Sequence, residues 1–293
     1  MKLSVVTVVR AGSQPVLSLL ASLQNEAPAE IIVVNCCGPA VAEAIAERFP
    51  DYEIVEEFEE ATSAQARYAG VKRSTGGIVA IVHERYRIPE RWLAAVEAVH
   101  QRDIDAAGGG IAPAPEYGAM EWAMYLTEYS QVAPPLPDGL LDLKRSMLLP
   151  GGNISYKRRV FDMAPMGHAL SELDFHEALY HAGARFYRCQ AMDVQFASSL
   201  TLEEYREERR KFSRAYGALR FRDASAASRA LGAGARLALP PLLLARYARQ
   251  TFANAQLRGK FWPALPWMTY FAWIQMQAEM AGILNGSVSP PRL

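Results

Sequence analysis

The chain has 293 residues, of which 51% are hydrophobic and 21% charged, enough apolar content to bury the core of one large domain or two small ones and too much for a disordered chain. Its formal charge of zero hides a split: Arg209 to Leu293 holds thirteen Lys and Arg against two acids, Asp223 and Glu279, and the preceding 208 residues carry the matching excess of eleven acids. Three cysteines, two of them the adjacent Cys36 and Cys37, exclude a disulfide framework and point to a reducing cytoplasm.

The opening "MKLSVVTVV" lacks the long apolar core and small-residue cleavage site of a signal peptide and reads as a first strand. Short β-branched runs then alternate with helical runs. The predicted strands are 3 to 9, 30 to 35, 52 to 56, 77 to 82 and 103 to 109. Between them lie "PVLSLLASLQ", "AVAEAIAERF", "SAQARYAGVKR" and "ERWLAAVEAVHQ", each with apolar residues three or four apart. Apolar strands joined by crossover helices imply a wound, mainly parallel sheet covered on both faces. Ligands of such sheets bind beyond the carboxyl ends of the strands, here near Val9 to Gly12, Asn35 to Gly38 and His83 to Arg85.

From Ile111 to Pro150 the chain is rich in Pro, Gly and aromatics, and a loop with a short helix is expected. There follow "GGNISYKRRVF", a helix "SELDFHEALYHAG", a strand "ARFYRCQ" and the charged helix "TLEEYREERRKFSRAYGALRFR". The basic tail contains "LALPPLLLARYA" and an uncharged run of eighteen residues from Phe261 to Ala278, near the length of a membrane span. Its two prolines and its aromatics favour a helix pair packed on the domain or lying in a lipid interface. The basic excess suits a membrane surface or a phosphate-bearing partner, and equally suits attraction between the two halves of the chain. Nucleic acid is not among the expected partners.

Taken in order, these segments resemble the family 2 glycosyltransferases of the GT-A fold from Lys2 to about Tyr216. The opening strand, turn and helix match "SVVTVVRAGSQPVLSLLASL", and "EIIVVN" matches the second strand, with Asn35 where the family has a nucleotide-holding acid. "ARYAG" (66 to 70) matches Ala-Arg-Asn-x-Gly, keeping Arg67 and replacing the Asn by Tyr68. "TGGIVAIVHERYRIPERWL" stands at the strand that carries the aspartate (DxD-type) motif, here degenerate as His83, Glu84 and Arg85. "DAAGGGIAP" and "GGNISYKRRVF" match acceptor-side segments. "SELDFHEALYHAGARFYRCQAMDV" matches the segment with the catalytic base, Ser171 and Glu172 standing for Glu-Asp.

The resemblance implies a GT-A domain over residues 1 to 220 and a basic, apolar helical extension over 221 to 293, with membrane association possible for the latter. It implies transfer of a sugar from a UDP-, GDP- or dTDP-linked donor to a saccharide or lipid-linked acceptor, with inversion, in the cytoplasm or at the inner face of the membrane. The expected donor-side residues are Val9, Arg10, Asn35, Arg67, His83, Glu84 and Arg85, and the acceptor side holds Trp92, Gly152 and Asn153. Glu172 is the expected base and Asp174 the second candidate; early helix acids also serve as caps, the competing role for both. The family's manganese or magnesium is disfavoured. His83 and Glu84 are weak ligands because adjacent strand side chains diverge and Arg85 repels a cation, and no histidine follows near "MDVQFASSL". The spacing of His100, His168, His176 and His181 assembles no site, and His100 and His181 are expected on helix surfaces. Loss of the motif leaves two other readings: an inactive glycosyltransferase-like binding protein, and a membrane scaffold that works through its tail.

Overall fold

A computed structural model describes residues 2–24, 30–56, 63–146, 149–164, 166, 172–197 and 200–285, without the side chains of residues 56, 63, 64 and 172. The first half runs β1 (Leu3–Val9), α1 (Ser13–Gln24), β2 (Glu30–Asn35), α2 (Pro39–Arg48), β3 (Glu53–Glu56), α3 (Ser63–Arg73), β4 (Ile78–Val82), β5 (Tyr86–Arg87), α4 (Trp92–Val99), β6 (Ala106–Gly108), β7 (Ile111–Ala112) and α5 (Ala119–Tyr129). It continues through β8 (Gly139–Leu140), α6 (Leu143–Ser146), β9 (Asn153–Lys157), α7 (Val160–Met163), α8 (Glu172–His181), β10 (Phe186–Arg188), β11 (Val194–Phe196), α9 (Leu202–Arg220), α10 (Ala226–Ala235), α11 (Leu239–Ala253) and α12 (Phe261–Asn285).

The main sheet has the order β3-β2-β1-β4-β9-β6-β10-β8. Strands β3, β2, β1 and β4 are parallel to one another, and β9 lies antiparallel between β4 and β6. Strand β6 therefore runs with β4, and β10 runs with β6. The unbroken apolar runs of β1, β2 and β4 are buried because helices cover both faces of a parallel sheet. In α3 the small residues Ala66 and Ala69 are buried, and a methyl group added to Gly70 would lie 2.4 Å from Val6 Cγ1. The helix thus lies close on β1 and β2, and Arg67 is held over the sheet by its neighbours.

The pairing Val82↔Asn153 brings the start of β9 beside the end of β4. The ends of β1, β2 and β4 and the beginning of β9 therefore meet at one edge of the sheet. The second sheet, β5-β11-β7, continues the chain beyond His83.

By internal contacts the chain divides into two compact units, Met1–Ala114 with Val132–Ser198, and Pro115–Gln131 with Ser199–Leu293. The second unit therefore takes in α5 and α9, both of which the sequence reading assigns to the first domain. Helix α9 opens with a capping box: Thr201 Oγ1 accepts the Glu204 N–H at 3.2 Å and the Glu204 carboxylate accepts the Thr201 N–H at 2.8 Å. It packs along α12 through Gly217 and Gly282; a methyl group at Gly282 would fall 1.9 Å from the Arg214 carbonyl oxygen. Tyr205 of α9 meets Phe271 of α12 edge-on at 4.5 Å, so Phe271 is core in this unit. Among the described residues no helix is long and apolar enough to cross a membrane, and the run 261 to 278 is instead the first part of α12.

Candidate active site at the strand ends

Strand β4 ends at Val82, and the backbone of His83 is then tied to β9, its N–H donating to the Gly152 carbonyl at 2.8 Å. A Cβ on Gly152 would stand 2.8 Å from His83 Cβ, so the second glycine of "GGN" lets the start of β9 approach the end of β4 closely. The His83 Nδ1 accepts the backbone N–H of Arg85 at 3.1 Å, which leaves the ring proton on Nε2. Burial and the charges of Arg85 and Arg67 lower the His83 pKa to about 3. His83 is therefore a neutral imidazole at physiological pH. Any hydrogen bond that its ring donates comes from the neutral Nε2–H.

Glu84 is buried, and its carboxylate turns back onto the loop after β1. Oε1 accepts the N–H groups of Arg10 and Ala11 at 3.0 and 3.1 Å, and Oε2 accepts that of Ala11 at 3.2 Å. These amides belong to the stretch Val9 to Gly12, where a ligand is expected beyond the strand end. The carboxylate holds these amides, so Glu84 shapes the loop after β1. Val9 is likewise engaged: its carbonyl accepts the Cys36 N–H at 3.0 Å.

Asn35 is also buried and turned onto its own loop. Its Oδ1 accepts the Cys37 N–H at 3.0 Å and its Nδ2 donates to the Gly38 carbonyl at 2.8 Å, an Asx-type closure ahead of Pro39 at the start of α2. The amide shapes the β2 loop, at the position where the resemblance has a nucleotide-holding acid.

Arg67 stands over this edge with a pKa lowered by burial and by the charge of Arg10, against the opposing influence of Tyr156 and Tyr86. Arg10, Arg67 and Arg85 thus act on a common region, with His83 and the phenols of Tyr86 and Tyr156 around it. Sequence reasoning missed the support beneath Arg67. Tyr156 on β9 and His176 on α8 are fully buried and hydrogen-bonded through the phenol oxygen and Nε2 at 2.7 Å. Burial raises the Tyr156 pKa, and burial and Arg67 hold that of His176 down at about 4. The signal for this contact was the inward phase of Tyr156 in "NISYK"; its partner, twenty residues on, leaves no local trace.

The acceptor-side expectations Trp92 and Asn153 are both fully buried and joined to one another. Trp92 Nε1 donates to Asn153 Oδ1 at 3.3 Å and to the Met192 carbonyl at 3.1 Å. Asn153 Nδ2 donates to the carbonyls of Met192 and Gly110 at 2.7 and 3.0 Å. These two side chains fasten β9 and α4 to the segments after β6 and β10. A second device there is the ion pair Arg188–Asp193 at 2.6 Å, whose carboxylate also accepts the Gly110 N–H at 2.6 Å. His100, expected on a helix surface, is buried against Ser155 Oγ at 2.9 Å.

Glu172 opens α8 one turn before His176, and its side chain, with all of Ser171, lies outside the described residues. Asp174 is exposed. The donor set at the strand ends does not suit a divalent ion. The Glu84 oxygens hold amides, His83 Nδ1 holds an N–H, guanidiniums surround them, and no group of three His, Cys, Asp or Glu among the described residues is arranged to hold a metal.

No family model and no curated protein sequence matches this chain. Solved structures do. S. aureus TarS residues 1–349 in complex with UDP superposes with a TM-score of 0.53 at 14% identity, over 97% of this chain and 90% of that one. Another structure of the same fragment gives 0.52 at 17% identity, over 73% of this chain and 64% of its own length. The mannosyltransferase PcManGT from Pyrobaculum calidifontis, in complex with GDP-Man and Mn2+, gives 0.50 at 15% identity, over 98% of this chain and 76% of that one. Likeness at these identities establishes the fold, which is of the GT-A type with a C-terminal set of helices.

Proposed function

We propose that the chain is a glycosyltransferase that moves a sugar from a nucleoside-diphosphate donor to a hydroxyl of a saccharide or lipid-linked acceptor, with inversion and with weak or no metal dependence. One observation carries this reading: Arg85 and a neutral His83 stand at the end of β4, where the resemblance expects metal-binding aspartates, and Arg67 acts electrostatically on the same imidazole. The neighbours of known structure add support, since one holds UDP and another GDP-Man.

In this reading the acceptor oxygen attacks the anomeric carbon on the side away from the diphosphate. The carbon–oxygen bond to the diphosphate breaks as the new bond forms, and its electron pair leaves on a phosphate oxygen. Guanidiniums form parallel, charge-assisted hydrogen bonds to such oxygens and carry a permanent charge, so Arg85 and Arg67 stabilise the leaving group. The His83 Nε2–H adds a neutral donor. The acceptor proton passes to the carboxylate of Glu172, the base that the resemblance assigns at the start of α8.

A second reading, an inactive binding or scaffold protein, is favoured by Asn35 and Glu84, whose polar groups are engaged with their own loops. The two readings separate in one experiment. A panel of UDP-, GDP- and dTDP-sugars is titrated by thermal shift with chelator and with manganese, followed by product analysis with saccharide and lipid-linked acceptors. Binding that survives chelator, with transfer, supports the first; binding without transfer supports the second; absence of donor binding removes both a donor site and the proposed activity.

A further inference from the structure

The second unit carries a surface unrelated to the strand-end site. Residues 224–278 contain no Asp or Glu and six Lys or Arg. The acid that ends this run, Glu279, is buried and paired with Arg236 at 2.7 Å, so it does not offset the cations outside. On α11, Leu242, Arg246 and Arg249 follow one another at helical spacing and are all exposed, with Leu242 65% accessible. On α12, Trp262 and Trp273 stand three turns apart on one side of the helix and are 65% and 53% accessible. Phe252, near the end of α11, joins the two faces: its ring centroid lies 6.3 Å from that of Trp262. Arg258 is fixed at the same corner by a 2.8 Å bond from Nε to the Phe252 carbonyl, and Lys260 follows it.

We infer that the outer faces of α11 and α12 form a docking surface for an anionic lipid bilayer, lying parallel to it with Trp262 and Trp273 at the headgroup boundary. Indole and phenyl rings settle there because one part of the ring is apolar and tolerates partial dehydration, while arginines along the same face meet anionic headgroups. Charge decides the occupant. A second copy docked through the same face would bring cation against cation, whereas an anionic surface complements the whole acid-free run. Phe271 takes no part, being core, and Trp267 is only partly exposed.

The test uses the full chain with sedimented vesicles of phosphatidylcholine alone and of phosphatidylcholine with phosphatidylserine. Binding is expected to the second and not to the first, with a blue shift of tryptophan emission that W262A/W273A abolishes. R246Q/R249Q, which removes two surface charges and with them the stacking of the Arg246 guanidinium on the ring of buried Tyr247, should weaken binding roughly 25-fold, the product of about fivefold for each cation. Both variants should melt with the parent; if the tryptophan variant does not fold, the arginine variant decides. Protein that stays in the supernatant with anionic vesicles, or binding that neither variant changes, overturns the inference. So does concentration-dependent self-association lost in W262A/W273A without vesicle binding, which would give the face to a second copy.

Discussion

The carboxylate of Glu84, at the end of β4, accepts the backbone N–H of Arg10, just past β1, at 3.0 Å and so joins the two strand ends at the mouth of the site. A carboxylate at this place is expected to face a ligand, and here it faces the backbone. Glu84→Ala therefore leaves the Arg10 and Ala11 amides without their acceptor and frees the loop that carries Arg10. The expected cost is about 1.5–3 kcal/mol of stability, the range for hydrogen bonds to charged groups. Chemical denaturation measures it, and a stability unchanged by the substitution would show that the carboxylate does not hold the loop.

Arg85 should act on the donor and not on the fold. Arg85→Ala is expected to weaken donor binding by about 1.5–3 kcal/mol, equally with and without chelator, and to leave the melting temperature of the free protein in place. Calorimetric titration reads this directly. Binding that needs manganese and ignores Arg85 would return His83 and Glu84 to consideration as ligands.

Removing a proton acceptor lowers turnover by roughly a hundredfold to ten-thousandfold, whereas losing a helix cap costs ~1 kcal/mol of stability. Glu172→Gln should therefore stop transfer and leave donor affinity and melting almost untouched. Undiminished turnover would assign Glu172 to capping and move attention to Asp174, one residue past the next position on α8.

Acid should destabilise the first unit through its buried histidines. Burial keeps His100 and His176 neutral down to about pH 4. The unfolded chain protonates them near the ordinary value of 6.5. Their contribution is complete above that value and is lost as pH falls toward 4, with a slope of up to ~1.4 kcal/mol per pH unit for each. Denaturation between these pH values should flatten by one proton in His100→Gln and again in His176→Gln. A slope indifferent to both variants would mean that other groups carry the acid sensitivity.

Strand and helix positions in the first hundred residues were legible because they depend on local periodicity: the period-2 and apolar runs of β1, β2 and β4 and the 3.6-residue spacing of α1 to α4 are written in consecutive residues. The candidate arginines were legible too, since a strand end in a wound sheet is a binding position whatever surrounds it. What each polar side chain does there was decided by tertiary structure. Glu84 and Arg10 are 74 positions apart, and nothing near Glu84 says that its carboxylate will find backbone amides before it finds a ligand. His100 follows a helix at a position that reads as surface, yet β9 brings Ser155 against it, and burial then sets its protonation. Likewise the composition of the tail determined that it is basic and aromatic, but only the packing of α12 on α9 decided that Phe271 is core while Trp262 and Trp273 remain outside. Periodicity is a property of neighbours in the chain; partner and burial are properties of neighbours in space, which long-range contacts alone assign.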